Sequence, residues 1–232
     1  LHLNLYFDKY HYGHITNAIY FGADWELPFR AENTYSGRFH LENGDVKETK
    51  LMKASNVRLK YRKTKQCQIL ELPYKNNEAS MFILLPNKGQ ELESLEKILN
   101  VKDLNQMIKK MRKKDVNVVL PKFEVKFKCK PNDVLQSMGM KRAYSQTSAQ
   151  FGNMIQSAQP GDVYISDVVH QAFVKVDEKG TEAAAATAIV CKPNSAPRIA
   201  ATTFKADKPF VFIIKEKNTD SILFMGRLMN PN

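Results

Sequence analysis

Short apolar runs separated by turn residues recur along most of the chain, with the spacing typical of β-strands. Runs of this kind predict strands over residues 15–22, 39–41, 46–52, 57–61, 66–72, 81–85, 116–120, 123–127, 163–176, 210–214 and 222–225. Asn43-Gly44 lies between two of these strands, and this dipeptide favours a two-residue hairpin turn. The pattern therefore predicts a protein dominated by β-sheet.

Three segments carry apolar residues at the three-and-four spacing of an amphipathic helix. Leucine, isoleucine and methionine recur at that spacing in residues 91–100 and 102–112, and residues 133–140 predict a third, short helix. Strands that cluster with few intervening helices are typical of an α+β fold with mostly antiparallel sheets. Residues 1–14 are rich in histidine and tyrosine without a clear period, and they stay unassigned.

The composition is globular, since 43% of the 232 residues are hydrophobic and 10% aromatic. Lys and Arg outnumber Asp and Glu by 35 to 24, and a surface with a net charge of +11 attracts polyanions. Cys67, Cys129 and Cys191 lie far apart without a CxxC spacing, which indicates neither a zinc site nor a disulfide framework. The apolar runs are too short for a membrane span. No P-loop, dinucleotide fingerprint, zincin or hydrolase motif occurs, so we predict no catalytic residue, metal or cofactor.

Residues 177–191, DEKGTEAAAATAIVC, depart from this pattern. Four successive alanines favour a helix, yet they directly follow a long predicted strand. With a strand's period of two, one face would carry Thr181, Ala183, Ala185, Thr187 and Ile189, all uncharged and nearly all small. Such a face could enter a packed sheet without burying a charge, with Gly180 as a flexible pivot. On composition alone, an alanine-rich helical turn followed by an exposed loop over residues 192–203 is the favoured alternative.

This segment and several others resemble the serpin family. The sequence EKGTE at residues 178–182 is similar to the hinge of the serpin reactive loop, and residues 165–176 to the strand that leads into it. The other matching segments are residues 17–21, 25–29, 120–123, 138–140, 204–214 and 223–227, the last two being similar to the C-terminal signature and last strand of the family. The resemblance is colinear over residues 15–232, which we therefore expect to form one serpin domain.

The resemblance implies the serpin fold but only its C-terminal portion. Serpins have a longer domain, and its first helices and first two strands of the large sheet have no counterpart in this sequence. We therefore expect a fragment with the N-terminal part missing, which would leave apolar sheet surface uncovered.

By resemblance, the function is inhibition of a serine, or alternatively a cysteine, endopeptidase. The inhibitor acts as a suicide substrate: the protease cleaves its reactive loop, which then inserts into the central sheet. A non-inhibitory carrier or chaperone and an inactive fragment are the alternatives, and a hinge without proline or bulky residues favours the inhibitor. The implied hinge residues are Glu178, Gly180, Thr181, Glu182, Ala183, Ala184, Ala185, Ala186 and Thr187.

The reactive bond follows from counting along the family pattern. Counting 17 residues from Glu178 places the bond between Asn194 and Ser195. Counting back from the C-terminal signature reaches Arg198 instead, and Lys192 is a third choice. An asparagine-preferring protease would suit the first position and a trypsin-like protease the second.

The resemblance also assigns residues to the places where the sheet opens. Asn17 pairs with His170, and Lys122 forms an ion pair with Glu178 near Trp25 at the top of the sheet. His170 shares a strand face with apolar residues, so we expect it to be buried. For His170 the alternative is an ordinary core histidine, and for Lys122 and Glu178 the alternative is two solvated surface charges.

Basic residues crowd the end of the predicted helix 102–112, namely Lys109, Lys110, Arg112, Lys113 and Lys114. Such a run is usually a solvated face beside the negative end of a helix. In some serpins this helix binds heparin, so the resemblance adds a glycosaminoglycan as a partner, while nucleic acid and membrane are not expected. Most family members are secreted, which predicts an extracellular protein, with the cytoplasm as the alternative because of the unpaired cysteines.

Overall fold

The computed structural model describes residues 2–7, 12–151, 159–181 and 201–231. The strands are β1 (His2–Phe7), β2 (Tyr12–Tyr20), β3 (Ala23–Asp24), β4 (Tyr35–His40), β5 (Val46–Lys63), β6 (Cys67–Pro73), β7 (Ala79–Pro86), β8 (Arg112–Pro121), β9 (Phe123–Cys129), β10 (Tyr164–Val176), β11 (Gly180–Thr181), β12 (Thr202–Lys205), β13 (Phe210–Glu216) and β14 (Ile222–Leu228). The helices are α1 (Leu92–Ile98), α2 (Val101–Lys109) and α3 (Asn132–Ser137). Strands prevail, as the apolar pattern predicts, and the fold is α+β.

The chain divides into two compact units. The first comprises Leu1–Phe21 and Val125–Val174, and the second comprises Gly22–Glu124 and Lys175–Asn232. Residues 1–14, which the sequence left unassigned, supply β1 and the beginning of β2 to the first unit.

In the first unit, β2 lies between β1 and β10. It pairs antiparallel with β1 and parallel with β10, while β9 also pairs with β10. The β2–β10 ladder is regular from the pair His14 and Asp167 to the pair Tyr20 and Phe173, and a bulge precedes it at Ser166. This parallel pair is an exception to the predicted antiparallel pairing.

The second unit contains a large sheet in the order β12-β8-β5-β6-β7-β13-β14, with β4 beside β5. Its pairs are antiparallel except β12–β8. Helices α1 and α2 cover one part of the sheet, where Leu92, Leu95 and Leu104 pack into a buried cluster with residues of β6, β7 and β13. Continuous apolar strands such as β7, which is buried along its whole length, are typical of sheets covered on both faces.

Among the boundaries that differ from the predictions, those of β5 and α2 differ for identifiable local reasons. The predicted strands 46–52 and 57–61 form one strand, β5, because a bulge between Ala54 and Val57 keeps the chain in the ladder with β8. Asn56 takes a φ of 56° there, and its N–H donates to Asn117 Oδ1 at 2.9 Å. The predicted helix 102–112 ends earlier, at Lys109, because Met111 turns into the core and Arg112 already pairs with Tyr61.

Candidate functional site

A tight turn connects β10 to β11 at the place where the sequence predicts the loop hinge. Asp177 N–H donates to Gly180 C=O at 3.0 Å, and the Asp177 carboxylate accepts from the N–H of Lys179 at 2.9 Å. The turn brings Thr181 opposite Val176 in an antiparallel pair. On its other side, β11 pairs antiparallel with β3, Gly180 opposite Asp24 and Thr181 opposite Ala23. Two of the predicted hinge residues, Gly180 and Thr181, therefore form a short strand with a neighbour on each side.

Thr181 is fully buried at the end of this strand. Its hydroxyl lies 2.8 Å from the hydroxyl of Tyr74, which is buried as well. Burial raises the pKa of Tyr74, so the phenol stays neutral and forms a hydrogen bond with Thr181 at physiological pH. The contact fixes which face of the hinge strand points into the protein.

Trp25 also contacts this turn. Its ring stacks on Tyr74, with centroids 4.6 Å apart and planes 12° apart. Its indole N–H donates to Asp177 C=O at 3.0 Å, and its backbone N–H donates to Lys179 C=O at 2.8 Å. Trp25 is the single tryptophan of the sequence, and only 4% of its surface is exposed. Trp25 thus lies against the turn that contains Glu178.

The Glu178 side chain is held on the same turn by two donors. Lys122 Nζ lies 2.7 Å from Glu178 Oε2, and Thr34 Oγ1 donates to Glu178 Oε1 at 2.8 Å. Burial alone would raise the pKa of Glu178, but the hydrogen bonds from Lys122 and Thr34 outweigh it and hold the pKa below its usual range. The backbone of Phe29 also donates to Glu178 C=O at 2.8 Å. The predicted ion pair is therefore part of a hydrogen-bonded anchor rather than two solvated charges.

In the first unit, Asn17 and His170 lie directly opposite each other in the parallel ladder. The resemblance implies that they pair, but the structure differs: within the described residues, Asn17 Oδ1 is buried without a hydrogen-bond partner. His170 packs beside Phe127, with ring centroids 6.4 Å apart. The sequence also predicts that His170 is buried, but this residue is partly exposed and packs beside β9. Within the part of the chain that the structure describes, this amide oxygen is thus a buried acceptor without a donor, on a residue in the β2–β10 ladder.

The five basic residues do not all lie on a helix. Lys109 ends α2 and Lys110 caps it, whereas Arg112, Lys113 and Lys114 begin β8. All five are exposed. The prediction of a basic helix end is therefore corrected to a basic corner between a helix and the next strand.

The remaining predicted hinge residues and the candidate reactive bonds lie outside the described residues. They are Glu182, Ala183, Ala184, Ala185, Ala186, Thr187, Lys192, Asn194, Ser195 and Arg198. Thr34 and Tyr74 are site residues that the sequence did not indicate. Both residues form hydrogen bonds with partners more than a hundred positions away in the sequence. Such distant contacts leave no local pattern from which they could be predicted.

None of the helices that the structure describes has the length and apolar character needed to cross a membrane. Within the described ranges, no three His, Cys, Asp or Glu side chains form a cluster that could hold a metal ion. Cys67 and Cys129 are both free thiols, and burial raises the pKa of Cys67.

Comparisons with known proteins identify the family of this chain. The family described as "Serpin (serine protease inhibitor)" matches residues 7–231. A serpin-like protein of Thermococcus kodakarensis is 40% identical over 94% of this chain and 49% of its own length. The leukocyte elastase inhibitor of Xenopus tropicalis is 37% identical over 94% of this chain and 57% of its own length. Among solved structures, human thyroxine-binding globulin superposes with a TM-score of 0.82 at 27% identity, covering 94% of this chain and 56% of that one.

The chain thus spans about half the length of the curated relatives it matches. The match nevertheless extends over almost the whole sequence, and it begins at residue 7, inside the stretch that the sequence left unassigned. From this match, and from relatives at 37–40% identity, we conclude that the chain belongs to the serpin family.

Proposed function

We propose that the protein inhibits a serine or cysteine endopeptidase as a suicide substrate, by insertion of its cleaved loop between β2 and β10. Family membership alone does not establish inhibition, because the solved relatives include thyroxine-binding globulin in complex with thyroxine. The proposal rests on the pairing of β11, the short strand from which the loop continues.

The registers of three strand pairs support insertion at this place. Thr181 is opposite Val176 on β10 and opposite Ala23 on β3, and the residue numbers of these two partners differ by 153. In the β2–β10 ladder His170 is opposite Asn17, and their residue numbers also differ by 153. A strand that continued from Thr181 with both of these registers would therefore place each of its residues opposite a residue of β10 and a residue of β2 that are themselves a pair. Its residue 187 would lie opposite both Asn17 and His170. An inserted strand could thus pair with β2 and with β10 without a shift in the register between them.

The direction of that strand is also favourable. The loop leaves β10 through a tight turn, so it would run antiparallel to β10 and to the parallel neighbour β2. Insertion would replace one parallel ladder by two antiparallel ladders, which are slightly more stable per residue. The added main-chain hydrogen bonds are the source of free energy in this mechanism.

Side-chain size and polarity support the same strand. Since Thr181 points inward, the alternating residues Ala183, Ala185, Thr187 and Ile189 would also point inward. They are uncharged, so their burial would not require a partner for a charge. The hydroxyl of Thr187 would lie beside Asn17 Oδ1, the buried acceptor that lacks a partner within the described residues.

Incubation of the full-length protein with a panel of serine and cysteine proteases tests the proposal. We expect a covalent complex that survives SDS with at least one protease, and loop-cleaved protein that resists heat better than the intact form. Cleavage in the loop without complex formation or thermal gain would contradict inhibition and leave the carrier alternative.

The released C-terminal peptide from the same experiment identifies the reactive bond. We propose Asn194–Ser195, with Arg198 as the alternative, on the family spacing from Glu178. N-terminal sequencing that starts at Ser195 supports the first assignment, and a start at residue 199 supports the second.

We also propose that the basic corner binds a polyanion such as a glycosaminoglycan. Lys60 on β5 pairs directly with Lys113, so the positive surface continues from β8 to its neighbour strand. Replacing Lys109, Lys110, Arg112, Lys113 and Lys114 with glutamine should lower the salt concentration that elutes the protein from heparin, since each lost contact reduces counterion release. The matched control replaces five exposed lysines elsewhere, Lys50, Lys53, Lys75, Lys88 and Lys141. Equal elution of the two variants would contradict a specific site.

A further inference from the structure

Three side chains form a stack across three strands on one face of the first unit. The rings of Tyr20 on β2 and Phe173 on β10 have centroids 5.9 Å apart and planes 11° apart. Lys126 on β9 places its Nζ 5.6 Å from the centre of the Phe173 ring. Offset ring stacking and a cation over a ring face are both attractive, so the stack connects β2 to β10 and β10 to β9.

This contact lies on the face opposite the buried side of β10. Val168 and Val174 point to the buried side, whereas Phe173 alternates with them. About half of the Tyr20 surface is exposed. The stack therefore joins the two strands through a contact that is partly exposed.

Tyr20 and Phe173 are the last pair of the regular parallel ladder. Neighbouring strands lie about 4.8 Å apart, so an inserted strand would separate β2 from β10 by about 10 Å. Rings that stack at 5.9 Å cannot remain in contact at that separation. The stack can exist only while the β2–β10 ladder is closed.

We infer that Tyr20, Phe173 and Lys126 form a clamp that limits the rate at which the sheet opens for the loop. This inference rests on the proposed function. In the registers of β10 and β3, residue 184 of an inserted strand would lie opposite both Phe173 and Tyr20. That position comes three residues beyond Thr181, so the inserting strand would reach the Tyr20–Phe173 pair soon after insertion begins. Tyr20 and Phe173 are positioning residues that hold the intact protein in its uninserted form.

Annealing of a loop peptide to the intact full-length protein tests the clamp without a protease. The probe is a fluorescein-labelled peptide with the sequence of residues 181–194, and its rate of incorporation reports sheet opening. Phe173→Leu and Tyr20→Leu should each accelerate incorporation by about 2- to 10-fold, the effect of losing one aromatic pair. The double variant should incorporate the peptide no faster than the faster of the two single variants, since both changes remove the same contact. Lys126→Met should accelerate incorporation less.

Two further measurements separate a clamp from a general structural role. Phe173→Leu should lower the thermal midpoint of the intact form but leave that of the loop-cleaved form unchanged, because the stack is absent once the strand is inserted. Tyr35→Leu is the control, since it removes an exposed aromatic ring from β4, a strand of the other sheet that pairs with β5. Its incorporation rate should equal that of the parent.

The outcomes distinguish this inference from the proposed function. If the parent incorporates the peptide and Phe173→Leu is no faster, or if both forms of the variant lose equal stability, the clamp is wrong and loop insertion stands. If the parent neither incorporates the peptide nor gains heat resistance on loop cleavage, both the clamp and the proposed function are wrong.

Discussion

An Ala185→Arg variant is expected to be cleaved by the target protease without trapping it. In the proposed inserted strand, residue 185 has the same inward orientation as Thr181 and lies opposite Ala172 and Ile19. Insertion would bury the guanidinium without a partner, at a cost on the order of 3–5 kcal/mol. Because hydrolysis of the acyl-enzyme competes with insertion, a slower insertion releases the protease. The number of inhibitor molecules consumed per protease should rise at least about tenfold.

Ala186→Arg is the matched control for this prediction. The neighbouring residue would point to the opposite face, beside the exposed side chain of Gln171, where an arginine remains solvated. This variant should inhibit nearly as well as the parent. Thr181 is a poorer test position, because it is already buried against Tyr74 and a charge there would also disturb the intact protein. Equal loss of inhibition in the variants at 185 and 186 would rule out alternation along an inserted strand.

The sequence predicts most strands because each one carries its own signal. The hairpin around Asn43-Gly44 is an example, and Gly44 takes a φ of 88° that favours glycine. Its connection is longer than the predicted two-residue turn, since five residues separate the paired His40 and Val46. The uncharged alternation after Gly180 is also local, but composition alone favours a helical turn there, and the hinge is assigned only by resemblance to a family. Resemblance to a family then assigns Trp25 and Lys122, which no local pattern would connect to the hinge.

Other features cannot be predicted from the sequence because they depend on distant contacts. The helical pattern that includes Met111 continues through Arg112, but pairing with Tyr61 draws Arg112 into a strand. The hydrogen bond between Tyr74 and Thr181 joins residues 107 positions apart. The stack of Tyr20 on Phe173 requires a parallel register that only the folded sheet defines. The tertiary partner decides the outcome in each case.

Gly180→Ala is expected to displace β11 from its place between β10 and β3. The sequence predicts Gly180 as a flexible pivot, but its φ lies outside the left-handed region, and its role in the structure is steric. A Cβ at this position would lie 2.1 Å from Ala23 O and 2.7 Å from Asp24 Cα. Both obstacles are backbone atoms of β3, so a side-chain rotation cannot relieve the clash. The intact protein should lose about 1–3 kcal/mol of unfolding free energy, near the upper end of that range.

Displacement of β11 should affect the loop-cleaved form as well as the intact protein. The inserted strand would have to begin without its first paired residues, so the thermal gain after loop cleavage should shrink as well. Displacement should also expose Trp25, which hydrogen-bonds to Asp177 and Lys179 of the same turn, and shift its emission to longer wavelength. Gly37→Ala is the control, since the three atoms nearest to its Cβ would belong to the side chains of Leu51 and Tyr35 rather than to the backbone. A Gly180→Ala protein with parental stability and emission would show that β11 does not need this close approach.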